Sequence, residues 1–463
     1  MDKPQQHTGL NISVRSFLSA ITVIFCLMVF TYVLTLFVPS GSFDRDALTG
    51  EIISGSYHTV DGGITLLKWL LSPVLVLSSS ESTTVIAIIV FLFIIGGIFN
   101  SISEYGLLKY MLARIVSSFG KDRYRLMAII CFFFMAMGSL IGSFEEIIPL
   151  APVVVALSIS LGWDGLTGLA MSVLAIGCGF ASGICNPFTI GVAQQLAGVP
   201  VFSGVWLRLV SFALIYCLLL GFIRAHAKKV ERPVQSERSA DFKVSSVMDR
   251  ALRAFVIILG TGLAIVFASI LISSLRDYTM VIMGLAFFAA GAISTLIIGS
   301  GIKGLAVSFG KGAISICPAV LMILMALSIK YTLQTSMVLD TILFGAIRLT
   351  RMVPRQIVIL LVYLIAMVLN FFIPSGSAKA FILIPLIVPL AAQFGISAQL
   401  CVVAFAFGDG FSNVIYPTNP VLLMSLSLTD TSYGSWLRWS GKFQLLNLLL
   451  TSAILLAGLA IGY

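Results

Sequence analysis

Two stretches of this chain place polar and charged residues inside sequence that is otherwise apolar. The first holds Gly142-Ser143-Phe144-Glu145-Glu146 and, after an apolar run, Gly183-Ile184-Cys185-Asn186-Pro187-Phe188-Thr189. The second holds Pro374-Ser375-Gly376-Ser377-Ala378-Lys379, then Gly408-Asp409-Gly410-Phe411-Ser412-Asn413 and Tyr416-Pro417-Thr418-Asn419-Pro420. Gly142 to Asn186 is 44 positions and Gly376 to Asn419 is 43. Oxygen donors at this density suit a hard cation such as Na⁺. On that reading Ser143, Gly183, Asn186 and Thr189 form one coordinating cluster, and Ser377, Asp409, Ser412, Asn413, Thr418 and Asn419 form the other. Asp409 is alternatively suited to carrying a proton, because desolvation disfavours a carboxylate. Ionisable groups at membrane depth cost about 2.5–3.5 kcal/mol each even on the lenient scale and mark function by default. Glu145, Glu146, Lys379 and Asp409 are such groups. Lys379 with Ser375 and Ser377 suits a substrate carboxylate, and Glu145 or Glu146 a substrate amine. Ser143, Asn186 and Asn419 complete the set of substrate contacts. The plainer alternatives are that Ser and Gly let helices pack closely and that Lys379 neutralises a glutamate across the cluster.

The elements that position these residues are helices in a bilayer. The 463 residues are 59% hydrophobic and 10% charged, with a mean hydropathy of +1.08, whereas soluble domains carry roughly 25% charged residues. The apolar runs are long and continuous, which excludes the short alternating segments of a β-barrel. The fold class is an all-α polytopic membrane protein. The net charge of +9 lies in short loops, where it sets orientation and is no nucleic-acid signal. The seven cysteines fall within apolar runs without metal spacing.

In chain order, 1–223 forms a first unit, with a span over 17–38, a short interfacial piece over 64–78, a span over 84–102, an amphipathic arm over 105–119, a helical hairpin over 126–161, a broken span over 166–199 and a span over 204–223. Each arm of the hairpin is shorter than the ~20 residues that cross a bilayer, which makes it re-entrant. A basic linker over 224–253, with eight Lys or Arg against four acids, reads as cytoplasmic. The remainder, 254–463, holds an extra span over 255–275, a span over 280–298, a short Gly/Lys segment over 300–312, a span over 313–331 and an arm over 337–349. A second hairpin over 354–394, a broken span over 397–428 and a last span over 436–461 follow. Gly204-Val205-Trp206-Leu207-Arg208 follows the first broken span as Gly434-Ser435-Trp436-Leu437-Arg438 follows the second, which marks an internal duplication. The extra span inverts the second repeat relative to the first, an arrangement recurrent in secondary transporters. The count is about nine transmembrane helices and two re-entrant hairpins, with a cytoplasmic N-terminus and linker and an external C-terminus. Arg348, Arg351 and Arg355 then fall outside, against the positive-inside trend.

The Pro374-Ser375-Gly376-Ser377 tip, the Gly408–Asn413 run, the Tyr416–Asn419 run and the early Val38-Pro39-Ser40-Gly41-Ser42-Phe43 turn resemble the four-carbon dicarboxylate anaerobic carrier family of DcuC/YfcC-type carriers over essentially the whole chain. The resemblance implies the ion-transporter superfamily fold, a homodimer built on scaffold domains, elevator-type motion, and a bacterial inner-membrane location, with substrate and coupling ion held at the hairpin tips and broken spans. No cofactor other than Na⁺ as coupling ion is expected. One lysine against three acids favours a cargo that carries an amine as well as a carboxylate, with a four-carbon dicarboxylate as the alternative. A channel would show a continuous pore lined by repeated selectivity elements. An intramembrane enzyme would show a catalytic pattern such as His-Glu-x-x-His, and the three histidines (His7, His58, His226) lie outside the expected spans. No phosphate-binding Gly-x-x-x-x-Gly-Lys-Ser/Thr sequence occurs. The expected function is secondary active transport, by Na⁺ or H⁺ coupling or by exchange.

Overall fold

A computed structural model describes residues 14–45, 53, 55–79, 82–119, 122–142, 144, 147–233, 245–268, 272, 275, 278–350, 353–429 and 431–463, without the side chains of 14–20, 84, 187, 188, 346, 347, 349 and 350. Helix α1 (Val14–Phe37) leads into a two-stranded antiparallel ribbon, Gly41–Ser42 against His58–Thr59. Two short helices, α2 (Leu66–Leu70) and α3 (Ser72–Leu75), precede α4 (Ser82–Glu104) and α5 (Leu107–Phe119). The first hairpin is α6 (Arg123–Leu140) and α7 (Ala151–Ser160). The first broken span is α8 (Gly165–Leu169), a π-helical turn (Ala170–Leu174) and α9 (Ala175–Ser182), then a second π-helical turn (Pro187–Gly191) and α10 (Val192–Leu196). Then come α11 (Val205–Val230), α12 (Ser246–Ala268), α13 (Thr279–Ile298), α14 (Gly301–Ser315), α15 (Cys317–Thr335) and α16 (Leu339–Thr350). The second hairpin is α17 (Arg355–Phe372) and α18 (Gly376–Ala392). The second broken span is α19 (Ala398–Ser412) and α20 (Pro420–Leu428), and α21 (Tyr433–Ala460) closes the chain.

Among the described residues nine helical segments are long and apolar enough to cross a membrane. Most coincide with spans expected from the sequence, and the set differs at the hairpins. Arg123–Leu140 and Arg355–Phe372, each expected as one arm of a hairpin, qualify by length, while Ala398–Ser412 is a shorter apolar helix; α1, 24 residues long, covers the first expected span. Two boundaries also differ. The 300–312 segment is a helix, α14. Its Gly312 lets α14 approach α4, where a Cβ would sit 2.3 Å from the Gly96 carbonyl oxygen, so this glycine serves close packing of two helices. Helices α11 and α12 run into the basic segment, because Lys228 and Lys229 fall in the last turn of α11 and Asp249 in the first turn of α12, where each complements the helix dipole. His226 therefore lies on α11, bonded to Asp164 at 2.9 Å.

Helices α9 and α19 form the centre. Every residue of α9 is buried, as is every residue of α19 from Leu400 onward. They cross where a Cβ on Gly410 would lie 2.3 Å from the Ala181 Cα. Helix α6 lies along α9 through a matching pair of contacts, with Gly138 against the Ile176 carbonyl and Gly179 against the Met135 carbonyl, and α17 lies along α19. Backbone approaches of this kind need small residues, as in other membrane helix pairs. Large apolar side chains such as Phe37, Leu285, Ile302 and Leu445 remain exposed around the outside, the surface a bilayer covers.

Gly410→Val should overpack the α9–α19 crossing at a cost of about 1–3 kcal/mol, read as a lower melting temperature in detergent. Gly260→Ala meets open space on α12 and should leave the melting temperature unchanged or slightly raised, by about 0.5–1 kcal/mol of helix propensity.

Candidate functional site

A helix that stops inside an apolar layer leaves N–H and C=O groups that lipid cannot satisfy. At the first break, α9 ends on Gly183 in the left-handed conformation (φ 48°), which glycine adopts without a Cβ penalty. The next two N–H groups are taken by the first hairpin, with Ile184 donating to Ser139 Oγ at 2.9 Å and Cys185 to the Ser139 carbonyl at 3.2 Å. Asn186 Oδ1 accepts from the Thr189 N–H at 3.1 Å and starts the following turn. Gly142 (φ 75°) presses on that amide so closely that a Cβ would lie 1.8 Å from Asn186 Oδ1. The Ile184 carbonyl accepts from the guanidinium of Arg208, which is 1% exposed and also donates to the carbonyls of Phe202 and Ser203.

The second break is held the same way from α21. Trp436 Nε1 donates to the Val414 carbonyl at 2.7 Å, Tyr433 to the Ile415 carbonyl at 2.9 Å and Gln444 to the Phe411 carbonyl at 3.1 Å. Asn419 Oδ1 caps α20 through the N–H groups of Val421 and Leu422. The two Trp-Leu-Arg markers thus do parallel jobs with different members. Arg208 is buried and Trp206 is 49% exposed, whereas Trp436 is fully buried and Arg438 is exposed.

Between the breaks lies a buried ion pair. Lys379 and Asp409 are both 0% exposed, with Nζ 2.6 Å from Asp409 Oδ1. Lys379 Nζ also donates to the Ile373 carbonyl at 3.1 Å and to Asn370 Oδ1. An ammonium has three hydrogens, and all three are used. Asn370 Nδ2 continues the network to the Asp409 carbonyl (3.1 Å), Ser412 Oγ (2.7 Å) and Asn413 Oδ1 (2.8 Å), and Asn419 Nδ2 reaches Asn413 Oδ1 at 2.9 Å. Among the described residues, Asp409 Oδ2, Thr189 Oγ1 and Thr418 Oγ1 are buried without a hydrogen-bond partner.

The tip of the second hairpin closes on both breaks. A Cβ on Gly376 would lie 2.3 Å from Thr189 Cγ2 and 2.6 Å from Asp409 Oδ2. Lys379, Asp409, Ser412, Asn413 and Asn419 therefore form one connected cluster, with Thr189 across Gly376. Asn186 and Gly183 shape the first break beside it. Thr418 is buried one residue before Asn419. Ser375 is the N-cap of α18, and Ser377 is half-buried in its first turn. Ser143, Glu145 and Glu146 lie outside the described residues. Asn370 is the hub that the sequence reading passed over. Its signal was a single amide in the apolar run Val368-Leu369-Asn370-Phe371-Phe372.

A profile of the DcuC family, described as C4-dicarboxylate anaerobic carrier, matches residues 17–460. The "Putative basic amino acid antiporter YfcC" of Escherichia coli K12 is 30% identical over 410 residues, covering 83% of this chain and 80% of that protein. An uncharacterized protein of Haemophilus influenzae is 23% identical over 368 residues, covering 76% of this chain and 71% of its own length. Among solved structures, the YdaH transporter of Alcanivorax borkumensis aligns over 97% of this chain and 99% of its own at 19% identity and a TM-score of 0.45. MtrF of Neisseria gonorrhoeae, whose structure is presented as illuminating a class of antimetabolite efflux pumps, aligns over 94% of each chain at 15% identity and a TM-score of 0.43.

Lys379→Met in Na⁺-free buffer should lower stability by about 3–5 kcal/mol, because it leaves the Asp409 charge buried and unpaired. Lys379→Met/Asp409→Leu, which removes both charges, should recover most of that loss. Thermal unfolding of the purified variants in detergent reads both.

Proposed function

The chain belongs to the C4-dicarboxylate anaerobic carrier family, a family of membrane transport proteins, and from that premise we propose that it is a secondary active carrier for a small amino-containing carboxylate. The observation that carries the reading is the position of Gly376, whose α18 tip abuts Thr189 of the first broken span and Asp409 of the second. Three chain interruptions meet at one buried polar cluster, which is where a carrier would hold cargo between two hairpins. The cargo class follows from charge. The cluster's lysine is committed to Asp409, so a dianion gains nothing from Lys379 while that pair stands. A substrate ammonium would instead be drawn to Glu145 or Glu146, and its carboxylate to the hydroxyls and helix N-terminus around Ser375 and Ser377. The name borne by the Escherichia coli relative, a basic amino acid antiporter, fits an amine-bearing cargo; the family's own name keeps a four-carbon dicarboxylate as the second reading.

Coupling would run by exchange, by H⁺ or by Na⁺ at the oxygen-rich breaks around Asn186, Thr189, Asn413, Thr418 and Asn419. The two sets of hairpin and broken span would be inverted repeats that move as one elevator-type transport domain against a dimeric scaffold. The chain would sit in the inner membrane with its N-terminus and basic linker in the cytoplasm and its C-terminus outside.

Reconstituted protein should accumulate a labelled amino acid saturably, down an imposed ion or counter-substrate gradient, in proteoliposomes. Asn186→Ala and Asn419→Ala should each cut initial uptake about tenfold or more, equivalent to at least about 1.4 kcal/mol, with the protein still folded by size-exclusion chromatography. Flux that rises linearly with driving force and does not saturate would mean a channel, and undiminished uptake by both variants would mean that the two breaks do not form the site. Uptake of succinate but of no amino acid would select the dicarboxylate reading.

A further inference from the structure

Lys379 stands where a lysine is electrostatically misplaced. It is the fourth residue of α18, at the positive end of that helix's dipole, where cations are disfavoured. Its side chain is fully buried. What surrounds its ammonium is a set of oxygens from three other places. One is the carboxylate of Asp409 on α19 and one is the side-chain carbonyl of Asn370 on α17. The third is the main-chain carbonyl of Ile373, just past the end of α17. Ile373 is the cap residue of α17, with φ −126° and ψ 87°, so its carbonyl has left the helical ladder. It points with the negative end of the α17 dipole toward the cation. A carboxylate, an amide oxygen and a freed backbone carbonyl are the donor types that a hard metal cation takes. Asn370 is itself oriented for this. Its two amide hydrogens are shared among the Asp409 carbonyl, Ser412 Oγ and Asn413 Oδ1, which turns its oxygen to the ammonium.

We infer that Lys379 is a tethered cation: its ammonium occupies an oxygen cage that would otherwise bind a free monovalent metal ion, so that the wild-type chain needs no Na⁺ at Asp409. The inference deepens the carrier reading of this cluster and rests on it for its meaning in transport. The cation site itself is tested without any cargo. A lysine that were only packing filler would leave its position indifferent to ions once replaced by an apolar side chain of similar length.

The melting temperature of purified wild type, Lys379→Met, Lys379→Arg and Lys379→Met/Asp409→Asn is measured in NaCl and in choline chloride at equal ionic strength. Wild type and Lys379→Arg, which keep the charge, should melt alike in the two salts. Lys379→Met should melt higher in NaCl, with a saturable dependence on Na⁺, and the double variant should lose that response. A folded Lys379→Met that melts identically in the two salts, or a wild type whose Na⁺-dependent shift equals that of Lys379→Met, overturns the inference. If Lys379→Met fails to fold in either salt, Lys379→Ala takes over the test, since it also removes the charge and leaves the oxygens of Asp409, Asn370 and Ile373 with space for an ion. A saturable Na⁺-dependent rise in its melting temperature supports the cage, and no response overturns it. Because these shifts are read without substrate, they stand or fall separately from amino-acid uptake in proteoliposomes.

Discussion

An interrupted helix in an apolar layer must have its orphaned backbone groups taken by protein, since lipid offers no partner. That constraint organises this molecule more than any single contact. The first break is served from two sides, by Ser139 on the hairpin helix α6 and by Arg208 on α11. The second is served by Tyr433, Trp436 and Gln444 on α21 and by Asn370 on α17. These side chains reach their targets only because the helices approach at backbone distance, through Gly138 and Gly179 between α6 and α9 and through Gly410 between α9 and α19. Close packing, in this molecule, is the means by which the breaks are kept open and satisfied.

How much of this was legible in the sequence depends on whether the signal is local. Long apolar runs and their interruptions are local, and Gly183, Asn186, Asn413 and Asn419 fall at the breaks because glycine, asparagine and the prolines after Asn186 and Asn419 are poor helix interior residues. The amphipathic helices α5 and α16 lie within two residues of the positions that hydrophobic periodicity sets for them. Pairings across sequence distance are not local. Nothing near Lys379 names Asp409, thirty positions on, as its partner. Nothing near Asn370 shows that it joins four groups. The glycines of 300–312 set that segment apart from the helices beside it because a glycine that admits a neighbouring helix looks the same in one dimension as a glycine that ends one. The two Trp-Leu-Arg markers show the same limit from another side. Their likeness is visible in sequence, but which member turns inward, Arg208 in one and Trp436 in the other, depends on the carbonyl that each break happens to expose.

The charge balance of the cluster also changes once partners are known. Taken as a composition, Lys379, Asp409, Glu145 and Glu146 are one cation against three anions. Taken as a structure, Lys379 and Asp409 cancel. The pair is fully buried, and a buried pair gains its stability from the full set of hydrogen bonds around it rather than from attraction alone. Here the ammonium is saturated while Asp409 Oδ2 has no partner among the described residues. The asymmetry places the remaining unmet demand on the carboxylate, which faces Gly376 and, across it, Thr189.

The pair also decides which elements form one electrostatic unit. Lys379 belongs to α18, Asp409 to α19, and Asn370 and Ile373 to α17 and its end. Withdrawing the tip of the second hairpin from α19 would separate opposite charges 2.6 Å apart in surroundings where Coulomb forces are weakly screened. So long as Asp409 keeps its lysine, α17, α18 and α19 hold together. A hairpin that opened on its own would need another cation to take the place of the ammonium. The lysine therefore ties the composition of the site to its mechanics: a tethered charge keeps tip and broken span together, whereas a free ion in the same cage would let them part.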